Sequence, residues 1–338
     1  MPDMRDEMQA VAEAKVDEFL RQVAAVRGSL HQVVVGQDET IDLLLMCAIT
    51  CNHALLQGVP GLAKTLMVKA LASTFNWKFG RIQFTPDLMP SDITGYELLQ
   101  IDARGGAQPQ TMAFRRGPVF ANLVLADEIN RAAPKTQSAL LEAMAELHVT
   151  VGGQTYPLEE PFVVVATQNP IEQEGTYPLP EAQLDRFMME VRIDYPTPNQ
   201  EEEIVLKTTA GQPPLPEPTM DRQEFLGLRE LVAAVPVPGS VVRYAVRLCG
   251  ASRPHGSGAT PDMRKYVEWG CGPRGSQFLV TAAKARALLL QRTAPTIEDV
   301  RAVALPVLRH RIIPNYQAVG DGVDATEIVR RLLEQVQE

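Results

Sequence analysis

Five short apolar runs, separated by segments with helical patterns, dominate the chain from residue 31 to residue 196. The runs are ALLQ at 54–57, FGRIQF at 79–84, LVLA at 123–126, FVVVAT at 162–167 and MEVRI at 189–193. Nearly continuous apolar runs of this length are typical of strands in a parallel sheet covered on both faces by helices. The pattern therefore predicts an α/β domain.

The segments on either side of this domain have sequence patterns typical of helices. Residues 4–28 carry apolar positions at helical spacing, and residues 197–338 begin with a helix-start signal at Thr197, Pro198 and Gln200. Further helices are expected at 222–234, 240–252, 274–292, 297–310 and from Asp324 onward. A chain of 338 residues has room for about two domains. We expect an N-terminal helical segment (1–30), an α/β core (31–196) and a small helical domain (197–338).

Charge and composition exclude several classes of protein. The formal charge is −9, which disfavours binding to nucleic acid. No apolar run approaches the 18 or so residues of a membrane span, and the charged N-terminus does not resemble a signal peptide. The four cysteines are too sparse for a disulfide scaffold, and Cys47 and Cys51 are expected to pack in the core. These features predict a cytoplasmic protein without a membrane span.

The octapeptide GVPGLAKT at 58–65 follows one predicted strand and opens a helix, as a phosphate-binding loop does. Backbone amides of such a loop face the phosphates of a nucleotide, Lys64 adds a positive charge and Thr65 offers a hydroxyl to Mg²⁺. The general pattern has glycine where this chain has Ala63, and alanine is expected there only with a negative φ. The predicted nucleotide-binding residues of this segment are Gly58, Val59, Pro60, Gly61, Leu62, Ala63, Lys64, Thr65 and Leu66.

Two further strand ends carry polar side chains suited to nucleotide hydrolysis. Asp127 and Glu128 end the strand LVLADE, where the first acid can join Thr65 in holding Mg²⁺ and the second can activate a water molecule. Asn169 follows the strand FVVVATQ and can position that water. Alone, Asn169-Pro170 also fits a simple turn. Together with the loop at 58–65, these residues predict binding and hydrolysis of ATP with Mg²⁺.

With these motifs in order, the sequence closely resembles the MoxR family of AAA+ ATPases. The resemblance extends from about residue 10 to the end of the chain. Its carriers are VVGQDE at 34–39, GVPGLAKT at 58–65, TPDLMPSDITGYE at 85–97, DEINRAAPKTQSALLEAMAE at 127–146, ATQNP at 166–170, EGTYPLPEAQLDRFM at 174–188 and LRHRIIPNY at 308–316. The family implies an AAA+ P-loop core, a parallel sheet with helices on both faces, followed by a small all-helical lid domain.

The resemblance also implies roles for individual residues. Gly36 and Gln37 match the segment that borders the nucleotide base, Lys64 and Thr65 the Walker A residues, Asp127 and Glu128 the Walker B pair, and Asn169 the first sensor. Arg186 matches the arginine finger that a neighbouring subunit supplies, and Arg274 the second sensor, which acts within its own subunit or on the adjacent one. From the residues alone, an ion pair with Asp185 or Glu181 explains Arg186, and Arg274 reads as an ordinary residue of a helix N-terminus.

Two hairpins are expected as insertions in the core. Residues 98–116, with Gly105 and Gly106 at the tip, resemble the family's insertion, and residues 148–158 alternate around Gly152 and Gly153. In a ring such hairpins can face the central pore, and both also fit rigid surface hairpins.

The family resemblance implies a ring oligomer, a homohexamer, that couples ATP hydrolysis to remodelling, maturation or assembly of a client protein. Its implied partners include proteins with a von Willebrand factor A domain. Two other functions remain open on the sequence: a nucleic-acid motor or restriction-type subunit, against which the acidic composition argues, and a slow nucleotide-dependent switch.

Overall fold

A computed structural model describes residues 4–100, 111–171, 175–209, 211 and 214–337. The strands are β1 (His53–Gln57), β2 (Phe79–Gln83), β3 (Gly95–Gln100), β4 (Thr111–Arg116), β5 (Leu123–Asp127), β6 (His148–Val151), β7 (Gln154–Pro157), β8 (Val163–Gln168), β9 (Phe187–Arg192), β10 (Val267–Trp269) and β11 (Ile313–Pro314). The helices are α1 (Met4–Val33), α2 (Asp38–Ile49), α3 (Lys64–Thr74), α4 (Pro90–Thr94), α5 (Pro134–Glu146), α6 (Glu181–Leu184), α7 (Pro198–Thr209), α8 (Arg222–Ala234), α9 (Gly239–Ala251), α10 (Pro261–Tyr266), α11 (Pro273–Leu289), α12 (Ile297–Leu308), α13 (Tyr316–Gly320) and α14 (Ala325–Gln335).

The five apolar runs form one parallel sheet in the order β2-β5-β8-β1-β9. Alternate residues of the central strands β1, β5 and β8 enter different apolar clusters: Ala54 and Leu56 of β1 pack on the side that includes Leu45 of α2, and Leu55 packs with Leu140 of α5. Both faces of the sheet are therefore buried, which is why its strands read as continuous apolar runs. The predicted α/β core is confirmed.

The order of the strands places the predicted nucleotide-binding and catalytic residues that follow β1, β5 and β8 at one edge of the sheet. The strands β2, β5, β8 and β1 are parallel neighbours, so their carboxyl ends lie side by side. Gln57 of β1 is in register with Gln168 of β8, and Gln83 of β2 with Asp127 of β5. The carboxyl edge of an open parallel sheet is where α/β proteins bind ligands.

Two antiparallel hairpins extend from the core. The strands β3 and β4 pair from Gly95 and Arg116 outward, and the tip predicted at residues 105 and 106 lies outside the described residues. The strands β6 and β7 pair around Gly152 and Gly153, both with positive φ. Rings of Phe114 and Tyr156 stack with centroids 4.0 Å apart, so the two hairpins pack against each other.

Helices α7 to α14 lie within residues 197–338, the segment predicted as the lid. Its start signals are confirmed at Asp221 and Thr296, each of which has a capping box with the acid three residues later. The lid also contains a short antiparallel ribbon of β10 and β11, which the sequence pattern did not predict. One continuous apolar cluster joins α2 to the lid helices, because Leu45 belongs to the same cluster as Tyr244 and Leu248.

Helix α1 and the cysteines agree with their predicted packing roles. Phe19, Val23 and Val26 of α1 are buried in the same cluster. Cys47 is fully buried and Cys51 packs at the edge of that cluster. Among the described residues, no single helix has the length and apolarity to cross a bilayer; α8 and α9 meet those two criteria only as a pair bent by 84°.

Candidate active site

The segment 58–65 connects β1 to α3 at the carboxyl edge of the sheet. A Cβ atom on Gly58 would stand 3.1 Å from the Cβ atom of Ile193, so the loop passes close to the residue after β9. Gly61 has a φ of +89°, a conformation that favours glycine. The ammonium of Lys64 donates to the carbonyl oxygen of Gly58 at 2.6 Å, which holds the lysine side chain over the loop.

Ala63 departs from the sequence expectation. Its backbone lies in the left-handed region, with φ 52° and ψ 21°, so the expectation of a negative φ is wrong. For an L-residue this conformation costs roughly 1–2 kcal/mol. The loop must turn at this position to start α3 at Lys64, and glycine would make that turn without the cost. Ala63 is also the N-cap of α3 and has no side-chain acceptor for the first amides of the helix.

Asp127 and Glu128 are held by their neighbours on both sides. The hydroxyl of Thr167 in β8 donates to Oδ1 of Asp127 at 2.7 Å and accepts from the backbone amide of Glu128 at 2.8 Å. Glu128 has a φ of 57° and a ψ of 50°, which bends the chain sharply as β5 ends. Thr167 therefore fixes where the two acids leave the sheet.

Asn169 lies directly after β8 and is buried, with 6% exposure. Its Oδ1 accepts a hydrogen bond from the backbone amide of Ile171 at 3.1 Å. It lines a cleft of about 300 Å³ together with Gln57, Glu190 and the lid residue His310. The structure thus brings Asn169 to the same edge as Gly58 and Asp127.

Gly36 and Gln37 lie where the core meets α7. Gln37 donates from Nε2 to the carbonyl oxygen of Asp194 at 3.1 Å, and its Oε1 accepts from Thr40. A Cβ atom on Gly36 would meet the side chain of Gln200. The segment therefore joins the N-terminal part of the core to the chain that leaves the sheet after β9.

Arg186 stands at the opposite edge of the sheet from Lys64. It directly precedes β9, whose first residue, Phe187, is in register with His53 at the start of β1. A strand of five residues is about 16 Å long, so a side chain at this edge does not reach the loop after β1. Arg186 donates to the carbonyl oxygen of Leu141 in α5 of its own chain.

Arg274 lies in the first turn of α11 and faces the same edge as Arg186. Its Nη1 donates to Oδ2 of Asp185 at 3.0 Å. Asp185 is therefore engaged by Arg274 and, through its other oxygen, by Arg311. The structure does not bring Arg186 or Arg274 together with Lys64 and Asp127 of the same chain.

Comparison with known proteins agrees with this architecture. Residues 53–189 match the ATPase family associated with various cellular activities, and residues 262–332 match the AAA lid domain. Chaperone MoxR1 of Mycobacterium tuberculosis is 42% identical over 91% of this chain and 80% of its own length. Protein MoxR of Paracoccus denitrificans is 34% identical, over 86% and 88%. The chain belongs to the MoxR family of AAA+ ATPases.

The family assignment extends to the whole fold. A crystal structure from Cytophaga hutchinsonii superimposes with a TM-score of 0.90, at 39% identity and with 98% of each chain covered. The MoxR-family chain is therefore an ATP-hydrolysing enzyme with an AAA+ core and lid. Resemblance alone predicted this family, and the comparisons confirm it.

Residues missed by sequence reasoning surround the two Walker B acids of this MoxR-family chain. Arg81 of β2 donates to Oδ2 of Asp127 at 2.8 Å, and its Nη2 also donates to the Oε1 of Gln83. Gln83 in turn donates to Oε2 of Glu128 at 3.0 Å, and Arg131 donates to the same oxygen at 2.9 Å. For Arg81, the only sequence signal was a charged residue three positions before the end of the apolar run FGRIQF at 79–84.

Proposed function

We propose that Lys64, Thr65, Asp127, Glu128 and Asn169 form the part of the ATP site that one subunit supplies. The donor set fits a magnesium nucleotide, because the first amides of α3 have no side-chain cap and Lys64 lies over the loop beside them. Thr65 and Asp127 would hold Mg²⁺, an ion that neutralises phosphate charge when bound. Glu128 accepts the proton of the attacking water, and Asn169 orients that water. Gly36 and Gln37 border the base.

The second part of the site comes from a neighbouring subunit. Arg186 and Arg274 lie at the amino edge of the sheet, whereas the loop 58–65 lies at the carboxyl edge. This separation is the observation that carries the proposal, since an arginine that stabilises the transferred phosphoryl group must touch it. Both arginines therefore act on the nucleotide of the next subunit, which assigns Arg274 to the adjacent site.

A site shared between neighbours requires a closed assembly of like subunits. A head-to-tail interface generates a ring when its rotation closes, and we propose the hexameric ring that the MoxR resemblance implies. Hydrolysis in this ring remodels, matures or assembles a client protein in the cytoplasm. The name of the mycobacterial relative, a chaperone, supports a protein client. A protein with a von Willebrand factor A domain is the partner that the family resemblance implies.

Mixed rings test the shared site directly. Arg186→Ala and Glu128→Gln are each expected to abolish hydrolysis when present alone. In a random equal mixture, about a quarter of the interfaces combine an intact Glu128 with an intact Arg186 from the neighbour. ATP turnover should therefore reappear on mixing. If the mixture still shows no ATP turnover while size-exclusion chromatography shows intact oligomers, the two residues serve the nucleotide of the same subunit.

The client is tested with defined proteins. ATP turnover is measured with a purified von Willebrand factor A domain protein from the same organism, and separately with duplex DNA. Stimulation by the protein and none by DNA supports the proposal. Stimulation by DNA alone would instead favour a nucleic-acid motor. If neither the protein nor DNA changes the rate of ATP turnover, the result would favour a slow nucleotide-dependent switch.

A further inference from the structure

Arg311 follows α12 in the lid and lies almost entirely inside the protein, with 2% of its side chain exposed. Its guanidinium donates hydrogen bonds to a carboxylate and to the backbone, and it also contacts an aromatic ring. Nε donates to Oδ1 of Asp185 at 2.9 Å, and Nη1 donates to the carbonyl oxygen of Val307 at the end of α12. The Cζ atom of the group also lies over the ring of Phe278 in α11, 4.9 Å from its centroid.

Three further hydrogen bonds of Arg311 go to the backbone on both sides of Arg186, and its Nη1 also lies 2.6 Å from Nε2 of the adjacent His310. Nη2 donates to the carbonyl oxygens of Asp185, at 3.0 Å, and of Phe187. Nη1 donates to the carbonyl oxygen of Met188 at 3.2 Å. The residue before Arg186 and the two residues after it are thus tied to one guanidinium of the lid.

Asp185 connects the same guanidinium to Arg274. One carboxylate oxygen accepts from Arg311 and the other accepts from Arg274. The two arginines that face a neighbouring subunit therefore share one support: Arg186 through its backbone and Arg274 through the carboxylate of Asp185.

We propose that Arg311 and Asp185 are positioning residues for hydrolysis in the neighbouring subunit's site. They hold Arg186 and Arg274 as one unit and make the placement of both arginines depend on how the lid sits on the core. The inference rests on the proposed role of Arg186 and Arg274 across the interface. Neither Arg311 nor Asp185 touches the nucleotide.

Arginine is required at position 311 for a geometric reason. The planar guanidinium carries five N–H donors in a fixed fork, whereas a lysine ammonium has three donors at one point. Arg311→Lys keeps the positive charge beside Asp185 but does not reach the carbonyls of Asp185, Phe187 and Met188 together. A displacement of about 1 Å at a catalytic group can lower a rate by about 100-fold. We therefore expect Arg311→Lys to lower kcat by about 10-fold to 100-fold without changing the nucleotide Kd.

The deciding experiment combines Arg311→Lys with Glu128→Gln in one ring. Arg311→Lys subunits keep an intact Glu128, and Glu128→Gln subunits offer correctly held arginines, so turnover should recover on mixing. A general defect of folding would not recover in this way. Asp185→Asn, which keeps the shape of the side chain, should show the same recovery and serves as the second variant if Arg311→Lys does not fold. Circular dichroism and size-exclusion chromatography report on folding and assembly.

Arg286→Lys is the matched control. Arg286 also pairs with a lid acid, Asp299, whose side chain is fully buried, and in the described part of the chain this ion pair lies within the lid, between α11 and α12. It should lower the melting temperature and leave kcat at the level of the parent protein.

The outcomes separate the inference from the function on which it rests. An unchanged kcat in Arg311→Lys, or recovery with Arg186→Ala but with neither Arg311→Lys nor Asp185→Asn, would overturn the positioning role alone. Absence of recovery with Arg186→Ala would overturn the shared site and the positioning role together.

Discussion

Arg81 donates from Nη2 to Oδ2 of Asp127 at 2.8 Å, so the carboxylate that we propose for Mg²⁺ is already paired with a cation from the adjacent strand. The register explains the contact, because β2 and β5 are parallel neighbours and Gln83 lies opposite Asp127. Nearly half of the Arg81 side chain is exposed, whereas the Asp127 side chain is 14% exposed. The pair therefore sits at the mouth of the site, where solvent weakens it.

Arg81→Gln should strengthen the binding of Mg²⁺ at the nucleotide site. Removal of the guanidinium leaves Asp127 with more negative potential and one unoccupied oxygen. We expect the Mg²⁺ concentration for half-maximal turnover to fall by up to about 5-fold, because an exposed ion pair contributes up to about 1 kcal/mol. The measurement is a Mg²⁺ titration of ATP turnover at fixed ATP. Arg222→Gln, which removes an exposed arginine beside Glu160 on another surface, is the control. A higher Mg²⁺ requirement in Arg81→Gln would mean that Arg81 orients Asp127 for the metal.

Lys64→Ala and Glu128→Gln should separate nucleotide binding from hydrolysis. Lys64 contributes charge to the phosphates, so its loss should raise the Kd for a fluorescent ATP analogue by at least about 10-fold, the effect of losing one charge-assisted hydrogen bond. Glu128→Gln keeps the acceptor for Gln83 and Arg131 but removes the basic carboxylate. It should bind the analogue like the parent protein and hydrolyse ATP at least about 100-fold more slowly. Equal loss of affinity in both variants would contradict these roles.

The fold and half of the active site follow from patterns that are local in sequence. Strand β5 could be predicted because four apolar residues precede Asp127 and Glu128, and the two acids themselves lie at the end of the strand. The contact of Arg81 with the site could not be predicted in the same way. Its partner Asp127 lies 46 positions away, and the contact depends on which strands are neighbours and on their register.

The side on which Arg274 acts is a fact of assembly and of lid placement, so spacing could not decide it. Its position in the structure follows from Asp185, 89 positions earlier. Arg311 lies in LRHRIIPNY, one of the segments that carry the family resemblance, but the segment predicted no role for it, because only the fold shows that its buried guanidinium donates to the backbone around Arg186. The ribbon β10 spans three residues, too few for a strand period to appear.

Ala63→Gly should leave the protein as stable as its parent or more stable. The left-handed backbone of Ala63 costs roughly 1–2 kcal/mol, and glycine removes this cost. Glycine also adds freedom to the unfolded chain, which offsets roughly 0.4–1 kcal/mol of the gain. The net change is therefore a stabilisation of up to about 1.6 kcal/mol, measured by urea unfolding. Ala139→Gly in α5 is the matched control and should lose about 1 kcal/mol, because its backbone is right-handed helix. A similar loss in both variants would contradict the strain at Ala63.

His53 should make the stability of the protein fall in mild acid. It is buried where β1 begins, and burial lowers the pKa of its imidazole to about 4, with the charge of Arg186 acting in the same direction. Its Nδ1 accepts from the backbone amide of Val164 at 3.0 Å, a bond that the protonated ring does not accept. Because the unfolded chain binds this proton near pH 6.5 and the folded chain only near pH 4, stability is lost as the pH falls from 6.5 to 4.

Urea unfolding at pH 7.5, 6, 5 and 4.5 checks this dependence. Between pH 6.5 and pH 5 the loss attributable to His53 is about 2 kcal/mol. His53→Gln keeps an acceptor and a donor without a titrating group, so it should lower stability at pH 7.5 and show a shallower slope below pH 6.5. Some slope should persist, since burial and the neighbouring Arg311 also lower the pKa of His310. His255→Gln, at an exposed position, is the substitution control and should reproduce the parent curve. If His53→Gln and the parent protein lose stability in parallel, the acid sensitivity lies elsewhere.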